Sequence, residues 1–177
     1  MGTVFIETPR LILRAWEDED RAAFAEMNSS VEVMRYFPAT LSAEESDRFV
    51  DRIVAEFEEF GHGLYAVELK ETGEFIGYVG FHRFCFDAPF SPGWEIGWRL
   101  SDRFWHRGLA TKAASACLDY ARTHHLFDRV YSFTATLNRP SENVMKRLGM
   151  TCLGSFMHPA LPDAHPLKEH RLYALDL

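Results

Sequence analysis

The chain has 177 residues, with 19 Lys and Arg against 26 Asp and Glu, for a formal net charge of −7. That length predicts one domain over residues 1–177, able to bury roughly 70% of its unfolded-chain surface without disulfides or a metal. Apolar residues at 47% and aromatics at 14% exclude disorder along most of the chain, and the acidic balance disfavours a broad nucleic-acid platform while leaving room for local basic patches.

Three cysteines, Cys85, Cys117 and Cys152, stand far apart with no C-x-x-C spacing, which argues against a disulfide framework or a zinc site. No apolar run approaches the roughly 20 residues of a membrane span. Residues 1–14 carry Glu7, Pro9, Arg10 and Arg14 and lack the apolar centre of a signal peptide. The expectation is a soluble cytoplasmic protein with no nucleic-acid, membrane or metal partner.

In chain order, residues 8–14 read as an opening strand and 17–27 as a short helix with an acidic head. Ser42 followed by Glu45 is a capping box, and Phe49, Ile53 and Phe57 repeat at helical spacing behind it, until Gly61 and Gly63 stop the helix. Residues 64–69 and 75–81 are strand-like and joined by a turn at 70–74. Pro89 and Pro92 mark a loop. Residues 94–100 then alternate, with Ile96, Trp98 and Leu100 on one face and Glu95, Gly97 and Arg99 on the other. A helix over 108–124, with Leu109, Ala113, Cys117 and Tyr120 on one stripe, precedes a strand at 130–136. Strand, helix and strand in that order predict a right-handed crossover and one parallel pair. Asn138 starts another helix that ends at Gly149, and strands at 150–156 and 171–175 flank a Pro-containing loop. Strands and helices are intermixed, so the fold class is α+β, or mixed α/β.

The stretch Trp105-His106-Arg107-Gly108-Leu109-Ala110-Thr111-Lys112 takes a strand through a Gly turn into a helix of small residues. Free N–H groups and the helix dipole make such a start an anion site, and Arg103, Arg107 and Lys112 gather positive charge there in an acidic chain. A pyrophosphate suits it; an ordinary Gly start to a core helix is the plainer alternative.

This stretch resembles the acetyl-CoA loop of the GNAT N-acetyltransferases, Gln/Arg-x-x-Gly-x-Gly/Ala, with Gly108 and Ala110 matching and Trp105 departing at the first position. The departure is similar to the RimJ/RimL branch. So are Asn138-Arg139-Pro140-Ser141, the helix leading to Leu148-Gly149-Met150, and the opening Thr8-Pro9-Arg10-Leu11. The resemblance implies a twisted, mostly antiparallel mixed sheet of about six to seven strands, flanked by helices and splayed between its two central parallel strands. Acetyl-CoA would lie in that splay. Backbone groups of Trp98, Arg99 and Leu100 would hold its pantetheine arm. N–H groups from about Arg103 through His106, Arg107, Gly108, Leu109 and Ala110 to Thr111 would hold its pyrophosphate, Asn138 would reach the pantetheine or sulfur end, and Arg147 would belong to the same cofactor site.

Acetyl transfer to an amine sets two chemical demands. An amine of pKa near ~10 must lose a proton before it attacks a thioester, and Glu95 on the proposed cofactor strand is the candidate base. The departing thiolate needs modest help. Many members of the family place a tyrosine where this chain has Met145, so Ser141 is the remaining candidate. The acceptor is an amine, either a peptide N-terminus or a small molecule, and a homodimer is allowed. His158, His165 and His170 and the aromatics Phe81, Phe84, Phe86, Phe90 and Trp94 are candidates for acceptor-pocket walls; for the aromatics, core packing is the plainer reading. The loops at 28–40, 84–93 and 156–169 are expected to shape the pocket. The alternatives are a non-catalytic acyl-CoA-binding sensor of the same fold and, less favoured, a nucleotide enzyme using the helix start.

Overall fold

A computed structural model describes residues 2–177. Its elements are β1 (Val4–Glu7), β2 (Leu11–Arg14), α1 (Asp20–Ser29), α2 (Ala43–Phe60), β3 (Leu64–Leu69), β4 (Glu74–Phe84), β5 (Gly93–Leu100), α3 (Leu109–His124), β6 (Arg129–Ala135), α4 (Arg139–Arg147), β7 (Thr151–Met157) and β8 (Glu169–Asp176). A 3₁₀ turn at Asp102–Phe104 links β5 to α3. The strands form one eight-stranded sheet in the order β1-β2-β3-β4-β5-β6-β8-β7. Every neighbouring pair is antiparallel except β5 and β6, which are parallel and joined through α3. The mixed α/β class is as expected, with one more strand than the expected upper count.

That strand is β1. The opening segment read as one strand is in fact a turn followed by β2. The Thr8 hydroxyl accepts hydrogen bonds from the N–H groups of Arg10 and Leu11 at 3.3 and 2.9 Å, and this local turn folds β2 back on β1. The capping box of α2 forms as its spacing predicts. Ser42 Oγ accepts from the Glu45 N–H at 3.2 Å, and Glu45 Oε2 accepts from the Ser42 N–H at 2.8 Å. Gly61 ends the helix with a left-handed φ of 75°.

The alternation of β5 sends its two faces to different layers. Ile96 and Leu100 pack with Val79, Phe81 and the α3 stripe of Leu109, Ala113 and Cys117. Burial pushes the Cys117 thiol well above its ordinary pKa, consistent with a core residue. On the opposite face, Tyr78 and Leu64 pack under Phe24 and Met27 of α1 and Val50 and Ile53 of α2.

The acidic head expected at α1 has a second role besides the helix dipole. The buried Asp20 carboxylate accepts from Arg14 Nη1 and Nη2 at 2.8 and 2.9 Å, and from the Glu17 N–H at 2.9 Å. Arg14, 3% exposed, also donates from Nε to Glu68 at 2.9 Å. The hydrogen bonds to Asp20 outweigh the burial of Arg14 and raise its pKa. Asp20→Ala strands part of a buried guanidinium and should destabilise the fold by about 3 kcal/mol in urea unfolding; a change below ~1 kcal/mol would contradict this role.

Candidate active site

β5 and β6 share a single registered pair, Glu95 with Tyr131, and then diverge. Two side chains close the ends of the opened edge. Ser132 Oγ donates to the Ile96 carbonyl at 2.9 Å, and the Trp105 indole N–H donates to the Leu100 carbonyl at 2.9 Å. Along a strand, every second residue turns its N–H and C=O to the same edge. Trp98, midway between the two capped carbonyls, therefore presents its backbone pair to the gap. A cavity of about 830 Å³ fills this gap, bounded by the starts of α3 and α4 and by residues from the 32–38 and 158–170 segments.

At the α3 start, Gly108 has φ 71° and open space where a Cβ would stand. No side chain caps the first turn, so its N–H groups face outward. Gly108, Leu109, Ala110 and Thr111 line the cavity, as do His106 and Arg147. A second groove of about 890 Å³ continues from the same turn past Thr8, Lys112 and Ser115. Arg103 and Arg107, expected at this site, turn elsewhere. Arg103 pairs with Glu74 at 3.2 Å and Arg107 with Glu71 at 3.5 Å, and neither lines the cavity.

At the α4 start, Asn138 is both helix cap and organiser. Its Oδ1 accepts from the Ser141 N–H at 3.3 Å, which fixes the amide orientation. Its Nδ2 then donates to Thr134 Oγ1 at 2.9 Å and to Ser141 Oγ at 3.1 Å. Ser141 Oγ receives a further hydrogen bond from the Trp98 indole at 3.3 Å. With two donors on its oxygen, the hydroxyl keeps its own hydrogen for another acceptor. Met145, beside it, is 1% exposed and offers no proton.

Glu95 sits where the strands part, in the cavity wall. Burial pushes its carboxyl pKa up to about 7; the charge of His82 opposes the shift and that of Glu56 adds to it. His82 stands directly across the ladder from Glu95, on β4. It donates from Nδ1 to Glu56 Oε2 at 2.8 Å, while Glu56 Oε1 accepts the Arg83 N–H at 2.6 Å. Burial disfavours the His82 cation, but the Glu56 hydrogen bond and charge prevail and raise its pKa.

The acceptor end also differs from expectation in part. His158 and His170 converge, with ring centroids 4.9 Å apart, and both line the cavity; His165 does not. Desolvation lowers both pKa values, that of His170 to about 4, so neither carries charge at neutral pH. None of the five aromatics expected as walls reaches the cavity; Phe84, Phe86 and Phe90 cluster with one another, and Phe133 of β6 lines it instead. The 28–40 and 156–169 loops contribute walls, while no residue of 84–93 lines the cavity.

The sheet, the forked strands and the uncapped helix start define an acyl-CoA transferase architecture. Residues 10–151 match the Acetyltransferase (GNAT) domain, and the chain belongs to that family. It is 29% identical over 171 residues to an uncharacterized N-acetyltransferase, YnaD, of Bacillus subtilis, covering 96% of this chain and 95% of the relative. Among solved structures it is similar to a GNAT-family acetyltransferase from Bacillus anthracis, with TM-score 0.80, 27% identity and coverage of 97% and 98%. The ribosomal L7/L12 α-N-protein acetyltransferase RimL shares the fold at TM-score 0.80 and 17% identity, covering 100% of this chain and 96% of that one. The protein is an acetyl-CoA-dependent acetyltransferase.

Sequence reading missed the His82–Glu56 pair, which joins β4 to α2 across 26 residues and leaves no local signal. Glu56→Gln should lower the His82 pKa, read as a drop in the ring-proton titration midpoint by NMR; an unmoved midpoint would show that Glu56 does not hold the charge.

Proposed function

We propose that residues 1–177 act as one domain that transfers acetyl from acetyl-CoA to a primary amine, on a peptide N-terminus or a small molecule, by direct attack. The observation that carries this reading is the position of Glu95: a carboxyl with pKa about 7 at the fork of β5 and β6, in the wall of the shared cavity.

The residues present fit the co-substrate. The uncapped α3 turn around Gly108 suits a pyrophosphate, with His106 and Arg147 beside it. The inner-edge backbone pair of Trp98 suits the amides of a pantetheine arm, and an N–H near Trp98 or Arg99 suits the thioester oxygen. Asn138 orients the Ser141 hydroxyl.

Glu95 receives a proton from the bound ammonium, directly or through water. The freed nitrogen forms the C–N bond to the acetyl carbon, the C–S bond breaks, and the second proton of the nitrogen passes through water to the sulfur. Ser141 donates its hydroxyl hydrogen bond to the departing sulfur, which ends as a thiol after taking up a proton. A thiol pKa near ~8.5 makes a hydrogen bond sufficient where the family's usual tyrosine is replaced by Met145. Three free cysteines fit a reducing compartment, and we place the enzyme in the cytoplasm.

Free-thiol release from acetyl-CoA against a mixed panel of N-terminal peptides, polyamines and amino acids tests the reading. Below about pH 7 Glu95 is protonated and cannot accept, so kcat/KM should fall as pH drops through that value. Glu95→Gln should abolish this limb and lower turnover by roughly 10²- to 10⁴-fold; an unchanged profile rules out Glu95 as base. Ser141→Ala should lower kcat at saturating acetyl-CoA by roughly tenfold, and normal turnover would remove Ser141 from the mechanism.

A further inference from the structure

Arg99 is on the same face of β5 as Glu95, four residues further along, and only 8% of its surface is exposed. Its surroundings are unusual for a buried cation. Nη1 donates to the neutral amide oxygen of Asn28 at 2.7 Å, and Nε has no hydrogen-bond partner. Among the described residues no carboxylate lies within ion-pair distance of it. The guanidinium lies over the Phe37 ring at 4.1 Å, with Phe49 and Tyr78 at 5.5 Å each.

A buried charge without a counter-charge is costly, and ring faces offset only part of that cost. Arg14, the other buried arginine, shows the contrast, with Asp20 and Glu68 both on its guanidinium. Arg99 differs in lining the cavity, at the end walled by the 32–38 segment. The nearby acid there, Glu32, is already paired with Arg35 at 3.0 Å. Arg99 also points away from the α3 start, because its neighbours Ile96 and Leu100 are the residues that face α3. The phosphates proposed at that start are therefore not its counter-ion.

We propose that Arg99 recognises a carboxylate on the acceptor, so that the substrate class is an amine that also carries a carboxylate several bonds away. This rests on the transfer reading above and deepens it. Four residues of strand separate Glu95 and Arg99 by roughly 13 Å at Cα. An α-amino acid, whose amine and carboxylate are adjacent, is too short to engage both; an ω-amino acid or a peptide with an acidic side chain spans further. The planar fork of arginine matches a carboxylate with two parallel hydrogen bonds, which an amide of equal size cannot reproduce.

The test uses the full chain, acetyl-CoA and two matched acceptor pairs, with thiol release as the readout. One pair is 6-aminohexanoate and 6-aminohexanamide. The other is Gly-Gly-Asp amide and Gly-Gly-Asn amide, so the pairs separate a small-molecule source of the carboxylate from a peptide one. In wild type the carboxylate member of at least one pair should have a kcat/KM roughly 10- to 100-fold higher. Arg99→Met should bring that ratio near one. Arg99→Lys, which keeps the charge without the fork, should leave an intermediate ratio and serves if the methionine variant does not fold. Equal kcat/KM within both pairs in wild type, or a ratio that survives Arg99→Met, overturns the inference and leaves acetyl transfer standing. No thiol release with any of the four amines overturns the inference; if the wider panel of peptides, polyamines and amino acids is silent as well, the transfer reading falls with it.

Discussion

The architecture of the site follows from one constraint: β5 and β6 are parallel neighbours that pair at a single position. A parallel pair requires a crossover, and α3 supplies it, so the helix start is necessarily beside the strand ends. Because the strands part after Glu95 and Tyr131, the inner edge of β5 is not used up by the sheet. Ser132 and Trp105 satisfy the Ile96 and Leu100 carbonyls at either side, which confines the open backbone to the stretch around Trp98. The fork thus places three things within one cavity: free strand-edge groups, free helix N–H groups, and the carboxyl of Glu95 at its apex.

The charges are arranged around that fork. The chain is acidic overall, yet the groups aimed into the cavity are mostly neutral or positive at neutral pH. Glu95 is held near half-protonation by burial. Glu56 raises the His82 pKa, and positive charge on His82 opposes the rise at Glu95. His158 and His170 are desolvated into the neutral form. Arg99 alone brings a full buried positive charge with no carboxylate on it. A site that attracts an ammonium through Glu95 and a carboxylate through Arg99 is complementary to both ends of one molecule.

Local signals in the sequence were reliable where a short pattern has a single physical meaning. The Ser42–Glu45 box, the alternation of residues 94–100, the crossover order and the Gly108 helix start each appear as expected, and Asn138 caps α4 beside Ser141. What was not legible depends on register or on distant partners. Nothing near His82 in sequence announces Glu56, 26 residues away, or that the ladder sets His82 against Glu95. The arginines at 103 and 107 looked like phosphate ligands because they flank the helix start, but carboxylates from the β3–β4 turn and from β4 hold them outside the cavity. Likewise, the aromatics at 84–90 prefer each other's rings to the cavity.

The protonation of Glu95 is the point on which the account turns. Its carboxyl carbon can be followed by ¹³C NMR in glutamate-labelled protein, with the resonance assigned by its loss in Glu95→Gln. The account predicts a titration midpoint near 7. A midpoint near the ordinary glutamate value of about 4.3 would contradict it, because the carboxyl would then be a solvated anion with no raised proton affinity to exploit.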